Sequence, residues 1–288
     1  MNYDQFILSV TRYIEEQIDE SESVEMQEIL KINGVVARGI SIRKKGEKIA
    51  PVIYLQEFYE KFLAGKPLEE LAAQIVMKSR EAEFVPEWNY EEILDFNRVK
   101  SKIVYRLINA KQNQELLKDV PNLPIYDLSI VFYLLISESD VGRCSVLIKN
   151  SHMDYWKIPI SVLYECARQN TPRLFPHVLM PMDTYARKYA GGVVAPSPLI
   201  VLSNSRGMNG AGVLLYDRMP EKIYGYVGGK YYLIPSSIHE FLIVPWEPFL
   251  SVENMKEMVH EVNENHVAKD EVLSDNVYFF DGEQLSVL

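Results

Sequence analysis

Tyr231-Tyr232-Leu233-Ile234-Pro235-Ser236-Ser237-Ile238-His239-Glu240-Phe241-Leu242-Ile243-Val244-Pro245 decides how the rest of this chain is read. Two apolar runs rich in strand formers flank a proline, two hydroxyls, an imidazole and a carboxylate, and the runs read as buried strands. Pro235 has no N–H for a ladder, and serines compete for backbone groups, so the first strand is expected to break and re-aim here. Regular alternation beyond the break predicts Ser237 and His239 on one face and Glu240 on the other. Serine hydroxyls or water then satisfy the freed backbone groups while Ile238 and Leu242 pack inward. On this reading, alanine at both Ser236 and Ser237 lowers stability by roughly 1–3 kcal/mol, and His239→Gln costs less. A denaturant titration with an unchanged midpoint for the double variant contradicts it.

Outward from this stretch, the chain alternates short strands with amphipathic helices. Phe6, Ile7, Val10, Tyr13, Ile14 and Ile18 recur at helical spacing after Asn2. Two strand-like runs, Val24–Ile32 and Val35–Arg43, flank Asn33-Gly34, a strong hairpin signal. A strand at Pro51–Leu55 leads to helices at Glu57–Leu63 and Leu68–Arg80, separated by Gly65 and Pro67. The pattern weakens from Glu81 to Asn97, apart from a helical turn at Tyr90–Phe96, and a domain boundary is placed there.

Beyond it, Lys102–Ile108 reads as a strand and Asn113–Leu117 as a short helix. Pro121–Pro124 reads as a turn before a long strand, Ile125–Ser137, with Arg143–Ile148 as its partner. Ile160–Leu174 is helical by spacing, with Val162, Leu163, Cys166 and Ala167 facing inward and Pro172 marking its end. Tyr189–Pro198 reads as a mobile loop. Strands follow at Leu199–Leu202 and Val213–Tyr216, then a helix at Val252–Val262 and a last strand at Val277–Phe280. Strands outnumber crossover helices, so the expected fold class is α+β: mixed or largely antiparallel sheets with flanking helices, in two coupled lobes, 1–97 and 98–288.

The chain has 288 residues and a net charge of −10, with acid gathered at Glu15–Glu25 and Glu253–Glu271. Such a surface repels phosphate backbones, so nucleic acid is not an expected partner. Cys144 and Cys166 are the only cysteines, without CxxC or metal-ligand spacing, which argues against a disulfide framework and structural zinc. The longest apolar run, Ile130–Ile136, is too short to span a bilayer. Met1–Phe6 lacks the basic start and apolar core of a signal peptide, and the expected compartment is the cytoplasm.

No cofactor or metal is expected. Gly207-Met208-Asn209-Gly210-Ala211-Gly212 lacks both the GxGxxG order and a following Lys-Ser/Thr pair, and reads as a tight hairpin between strands. His260 and Glu264 lie four apart near His266, but HExxH is absent. Ser237 or Ser236 with His239 is the one nucleophile–base arrangement, and Asp275 is its candidate orienting acid only if the fold brings the C-terminal turn alongside. No GxSxG elbow accompanies it.

Leu202-Ser203-Asn204, Gly210–Tyr216, Ile234–Glu240 and Val272–Tyr278, together with the Asn33-Gly34 hairpin and Pro51–Leu55, resemble an uncharacterised domain-of-unknown-function family common in anaerobic gut bacteria. The resemblance spans nearly the whole chain and implies a cytoplasmic bacterial protein without assigning an activity. Two functional expectations follow. The first is a non-catalytic binding or regulatory protein with a protein or small-molecule partner. The alternative is a serine-type hydrolase using Ser237 or Ser236 with His239 and Asp275.

Overall fold

The computed structural model describes residues 1–46, 50–82, 93–139, 142–190 and 197–288, with side chains at all of these except 82, 137–139, 142–144 and 190. The chain forms two compact units, Met1–Trp88 with Ser137–Cys144, and Asn89–Ile136 with Ser145–Leu288. The first therefore includes a stretch remote in sequence, which a single cut along the chain does not express.

In the first unit, α1 (Tyr3–Glu15) starts at a capping box. Asn2 Oδ1 accepts the Gln5 N–H at 2.9 Å, and Gln5 Oε1 accepts the Asn2 N–H at 3.2 Å. Phe6, Ile7, Val10 and Ile14 are buried, whereas Tyr13 turns outward. Strands β1 (Glu22–Leu30) and β2 (Val36–Lys44) pair antiparallel from Glu22↔Lys44 to Leu30↔Val36 without a slip. Asn33 and Gly34 both take left-handed φ, 59° and 68°, and the Val35 N–H closes on the Ile32 carbonyl. Asn and Gly tolerate that conformation, which is why this dipeptide forms the turn. A two-residue β3 (Ile53–Tyr54) completes the sheet in the order β1-β2-β3. Helices α2 (Gln56–Leu63) and α3 (Leu68–Ala82) follow, and Gly65 at φ 96° ends the first of them. The core joins Phe6, Ile14, Ile40, Leu55, Phe58, Leu71 and Ile75. Each such side chain contributes roughly 1.5–3 kcal/mol on burial.

The expected connection at 81–97 lies mostly outside the described residues. Its described end is a helical turn, Phe96–Val99, with Asp95 accepting the Asn97 N–H. In the second unit, β4 (Ile103–Asn109), β5 (Asn122–Ile125) and β7 (Gly142–Leu147) all pair with the long β6 (Leu128–Ser139). A short helix, α4 (Gln114–Asp119), connects β4 to β5. The sequence reading of Pro121–Pro124 as a turn is corrected here. These residues enter β5, and the turn is Tyr126-Asp127, with Tyr126 at φ 54°. Because β5 is the outer strand, Pro124 can be accommodated despite its missing N–H.

Sequence periodicity did not reveal α5 (Asn150–Trp156), where the His152 Nδ1 accepts the Lys149 N–H at 2.9 Å. Burial, then the neighbouring Lys149 charge, holds the His152 pKa below its ordinary value. The folded chain thus prefers the neutral ring. Its contribution to stability is complete above the unfolded imidazole pKa, about 6.5, and is lost as pH falls through the lowered folded value. We expect His152→Gln to flatten the acid limb of a stability–pH profile, and equal slopes for variant and parent to contradict this.

The next helix, α6 (Ile160–Leu174), buries Leu163, Ala167, Asn170 and Thr171. Thr171 Oγ1 accepts the Tyr105 N–H at 3.1 Å, and Asn170 Nδ2 donates to the Ile103 carbonyl at 3.0 Å, so polar residues fix the helix to β4. Expected inward, Val162 is instead 38% exposed and Cys166 half-buried, because the buried stripe is centred on 163, 167, 170 and 171. Pro172 lies inside the last turn, and the helix continues to Leu174.

A six-stranded sheet has the order β13-β12-β10-β11-β9-β8, with every neighbouring pair antiparallel. Its strands are β8 (His177–Pro181), β9 (Ile200–Asn204), β10 (Tyr231–Ser237), β11 (Glu240–Pro245), β12 (Tyr278–Phe280) and β13 (Leu285–Val287). After β8, Met182–Tyr185 and Ala186–Ala190 are helical, while residues 191–196 of the expected loop lie outside the described residues. Helix α7 (Met219–Val227) ends at Gly228, where φ is 83°. Helix α8 (Val252–Asn265) packs Met255 and Val259 against Tyr232, Ile234 and Val277. The fold is α+β with open antiparallel sheets, as the strand-rich pattern predicts. Among the described residues no helix is long and apolar enough to cross a membrane.

Candidate functional site

The β10–β11 ladder runs from Tyr231↔Pro245 to Pro235↔Phe241 and then slips to Ser237↔Glu240, leaving Ser236 unpaired as a bulge. The proline and serines therefore interrupt the ladder where expected. The expected placement of Ser237 and His239 opposite Glu240 is corrected. Ile238 and His239 form the hairpin turn, which ends the alternation and makes Ser237 and Glu240 cross-strand partners. Ser237 Oγ accepts the His239 N–H at 3.0 Å and donates to Glu240 Oε1 at 3.4 Å.

Both imidazole nitrogens of His239 face groups other than serine. Nδ1 accepts the Asn209 N–H at 2.9 Å, so Nε2 carries the proton and faces Glu271 Oε1 at 3.2 Å. The backbone of the turn is fastened as well. Ser203 Oγ donates to the His239 carbonyl at 2.8 Å, the Ala211 N–H donates to Ile238 O at 3.2 Å, and the Ile238 N–H donates to Glu271 O at 2.8 Å. Burial raises the Tyr185 pKa, Ser203 opposes that rise through a hydrogen bond, and the Glu240 charge adds to it, which places the phenol beside both.

This docking explains a second correction. Val213–Tyr216 does not form the expected strand; Gly210–Leu215 is a 3-10 turn. A Cβ on Gly210 would lie 2.3 Å from Ser203 Oγ, 2.5 Å from the His239 carbonyl oxygen and 2.8 Å from the Asn204 nitrogen. Only glycine lets the turn approach so closely, so these glycines serve packing.

Asp275 is exposed and accepts from Asn263 Nδ2 at 2.7 Å; it lies 4.0 Å from His260 Nδ1. The carboxylate that reaches His239 is Glu271, which carried no recognisable signal in the sequence. His260 and Glu264 are exposed, 3.3 Å apart. Among the described residues no group of three or more His, Cys, Asp or Glu side chains is arranged to hold a metal.

Another polar cluster went unnoticed in the sequence. Asp127, in the β5–β6 turn, accepts hydrogen bonds from Ser274 Oγ, Asn276 Nδ2 and Tyr278 Oη. Ser274 and Tyr278 are fully buried. Burial first, then the Asp127 carboxylate, pushes the Tyr278 pKa upward, so the phenol stays a donor. Asn109 Nδ2 and Asn263 Nδ2 donate to the Leu273 and Ser274 carbonyls, each at 3.0 Å. The Val272–Tyr278 segment is thereby tied to β4, to the β5–β6 turn and to α8.

The outer face of α8 has a different character. Glu253, Glu257 and Glu261 are exposed, and none forms an ion pair with Lys or Arg among the described residues. Acids on other helices do so, as in Glu57–Lys61, Glu70–Lys66 and Glu165–Arg168. Beside the carboxylates, Met258 is 50% exposed and Val262 is also exposed one helical turn on.

The chain is thus an α+β protein in which Ser237 meets Glu240 while the His239 ring meets Asn209 and Glu271. The chain belongs to DUF5688, a family of unknown function whose model matches residues 3–282. No curated protein and no solved structure matches it.

Proposed function

We propose that this protein is a non-catalytic binding protein that engages a cationic protein partner through the outer face of α8. The observation that carries the reading is the row of exposed carboxylates at Glu253, Glu257 and Glu261, without a Lys or Arg ion-pair partner among the described residues, beside exposed Met258 and Val262. A helix face that keeps its charges uncompensated next to apolar side chains attracts an oppositely charged surface at a distance and packs against it on contact. The arrangement at His239 supports the non-catalytic part, since a general base needs a ring nitrogen within reach of the nucleophile's proton.

The test is capture of a stoichiometric partner from cell extract by the parent chain and by the E253K/E257K/E261K variant. The parent should retain a basic protein, more weakly as salt rises, and the variant should retain at least tenfold less. Equal retention, or no stoichiometric partner for the parent, contradicts the reading.

A further inference from the structure

We propose that the open edge of β1, with the groove beside it, takes an extended cationic segment of a partner protein by strand addition. This site is in the first unit, separate from the α8 face, and does not depend on it.

β1 is nine residues long and pairs with β2 without a bulge; its other edge pairs with no strand among the described residues. Glu22–Leu30 contains no Pro or Lys, two of the residues by which exposed edges are commonly blunted, and its charges are Glu22, Glu25 and Glu28. Its outward N–H and C=O groups, at every second residue, are a template for another strand.

Beside this edge, α1 and the sheet enclose a groove of about 370 Å³. Ile7 and Leu55 are buried at its floor, while Leu8 and Met26 remain 59% and 56% exposed. An added strand sends alternate side chains toward the same face, so the occupant should carry an apolar residue at every second position. The rim specifies the charge of the others. Arg38 bonds both Asp4 and Glu28, two carboxylates to one guanidinium, and leaves a net negative rim. Lys or Arg between the apolar positions complements it. A second copy of this chain offers no Lys or Arg along its own Glu22–Leu30 and so does not complement the rim.

The test uses the full chain and a labelled nine-residue peptide of alternating leucine and lysine, with binding read by fluorescence anisotropy. The parent should bind it, Met26→Arg should bind at least tenfold more weakly, and E253K/E257K/E261K should bind within twofold of the parent. A peptide N-methylated at alternate residues, which cannot complete a ladder, should lose at least tenfold. Amide hydrogen exchange on the parent gives a readout that requires no folded variant, with protection expected across Glu22–Leu30. Failure of the parent to bind, equal binding of the methylated peptide, protection elsewhere, or loss only in the α8 variant overturns the proposal. Loss only in the α8 variant would favour the α8 face, and none of these outcomes counts against partner capture there, so the two readings fail separately.

Discussion

Replacing Asp127 with alanine should lower stability by about 3–5 kcal/mol, because it removes the common acceptor of three donors, two of them on fully buried residues. The Ser274 and Tyr278 hydroxyls would lose their carboxylate partner with water largely excluded, and an unsatisfied buried polar group costs roughly 1–3 kcal/mol. Asp127→Asn keeps the shape and one acceptor oxygen, so it should cost less. Urea titrations of the three proteins check this order. An alanine variant within 0.5 kcal/mol of the parent would show that the cluster is not what fastens the Val272–Tyr278 segment.

Gly210→Ala should cost about 3 kcal/mol or more, at the upper end of what overpacking does. The added methyl meets the His239 carbonyl and the Asn204 backbone nitrogen, and neither can rotate aside as a flexible side chain would. Relief requires the 3-10 turn to back away from the hairpin, which breaks the Asn209–His239 and Ala211–Ile238 hydrogen bonds. Gly225, in the middle of α7, is the control, since a methyl there meets nothing within 4 Å. Alanine at 225 should stabilise by up to about 1 kcal/mol through backbone entropy and helix propensity. Thermal melts of the two variants shifting in the same direction would contradict the packing account.

Local patterns carried much of the fold. Helical spacing located α1, α2, α3, α6 and α8, and Asn33-Gly34 located the β1–β2 turn, because both signals act within a few residues. The break at Pro235–Ser237 was legible for the same reason. What escaped depends on remote partners. Val213–Leu215 is apolar enough for a strand, but the clearance at Gly210 is set by Ser203 and His239. Pro124 reads as a turn residue until the sheet order places it on an outer strand. At the candidate site, Ser237 and His239 were identified from the motif, whereas Glu271 and Asn209, the groups that occupy the imidazole, come from segments 32 and 30 residues away in either direction. Strand alternation could not have supplied either.

The same distinction governs the functional reading. A serine, a histidine and a carboxylate in one run suggest chemistry, but reactivity depends on which atoms remain available after folding. Ser237 accepts a backbone N–H and faces Glu240, while the imidazole is held between Asn209 and Glu271. The run serves as the fastening between the β10–β11 hairpin, the 3-10 turn and the segment before Val272.

Nitrogen-15 NMR of the His239 ring tests this account most directly. It predicts a proton on Nε2, an unprotonated Nδ1 coupled across a hydrogen bond to the Asn209 amide, and an unchanged pattern in Ser237→Ala. A proton on Nδ1, or a ring nitrogen bonded to a serine hydroxyl and altered by Ser237→Ala, would contradict it and return the motif to catalysis.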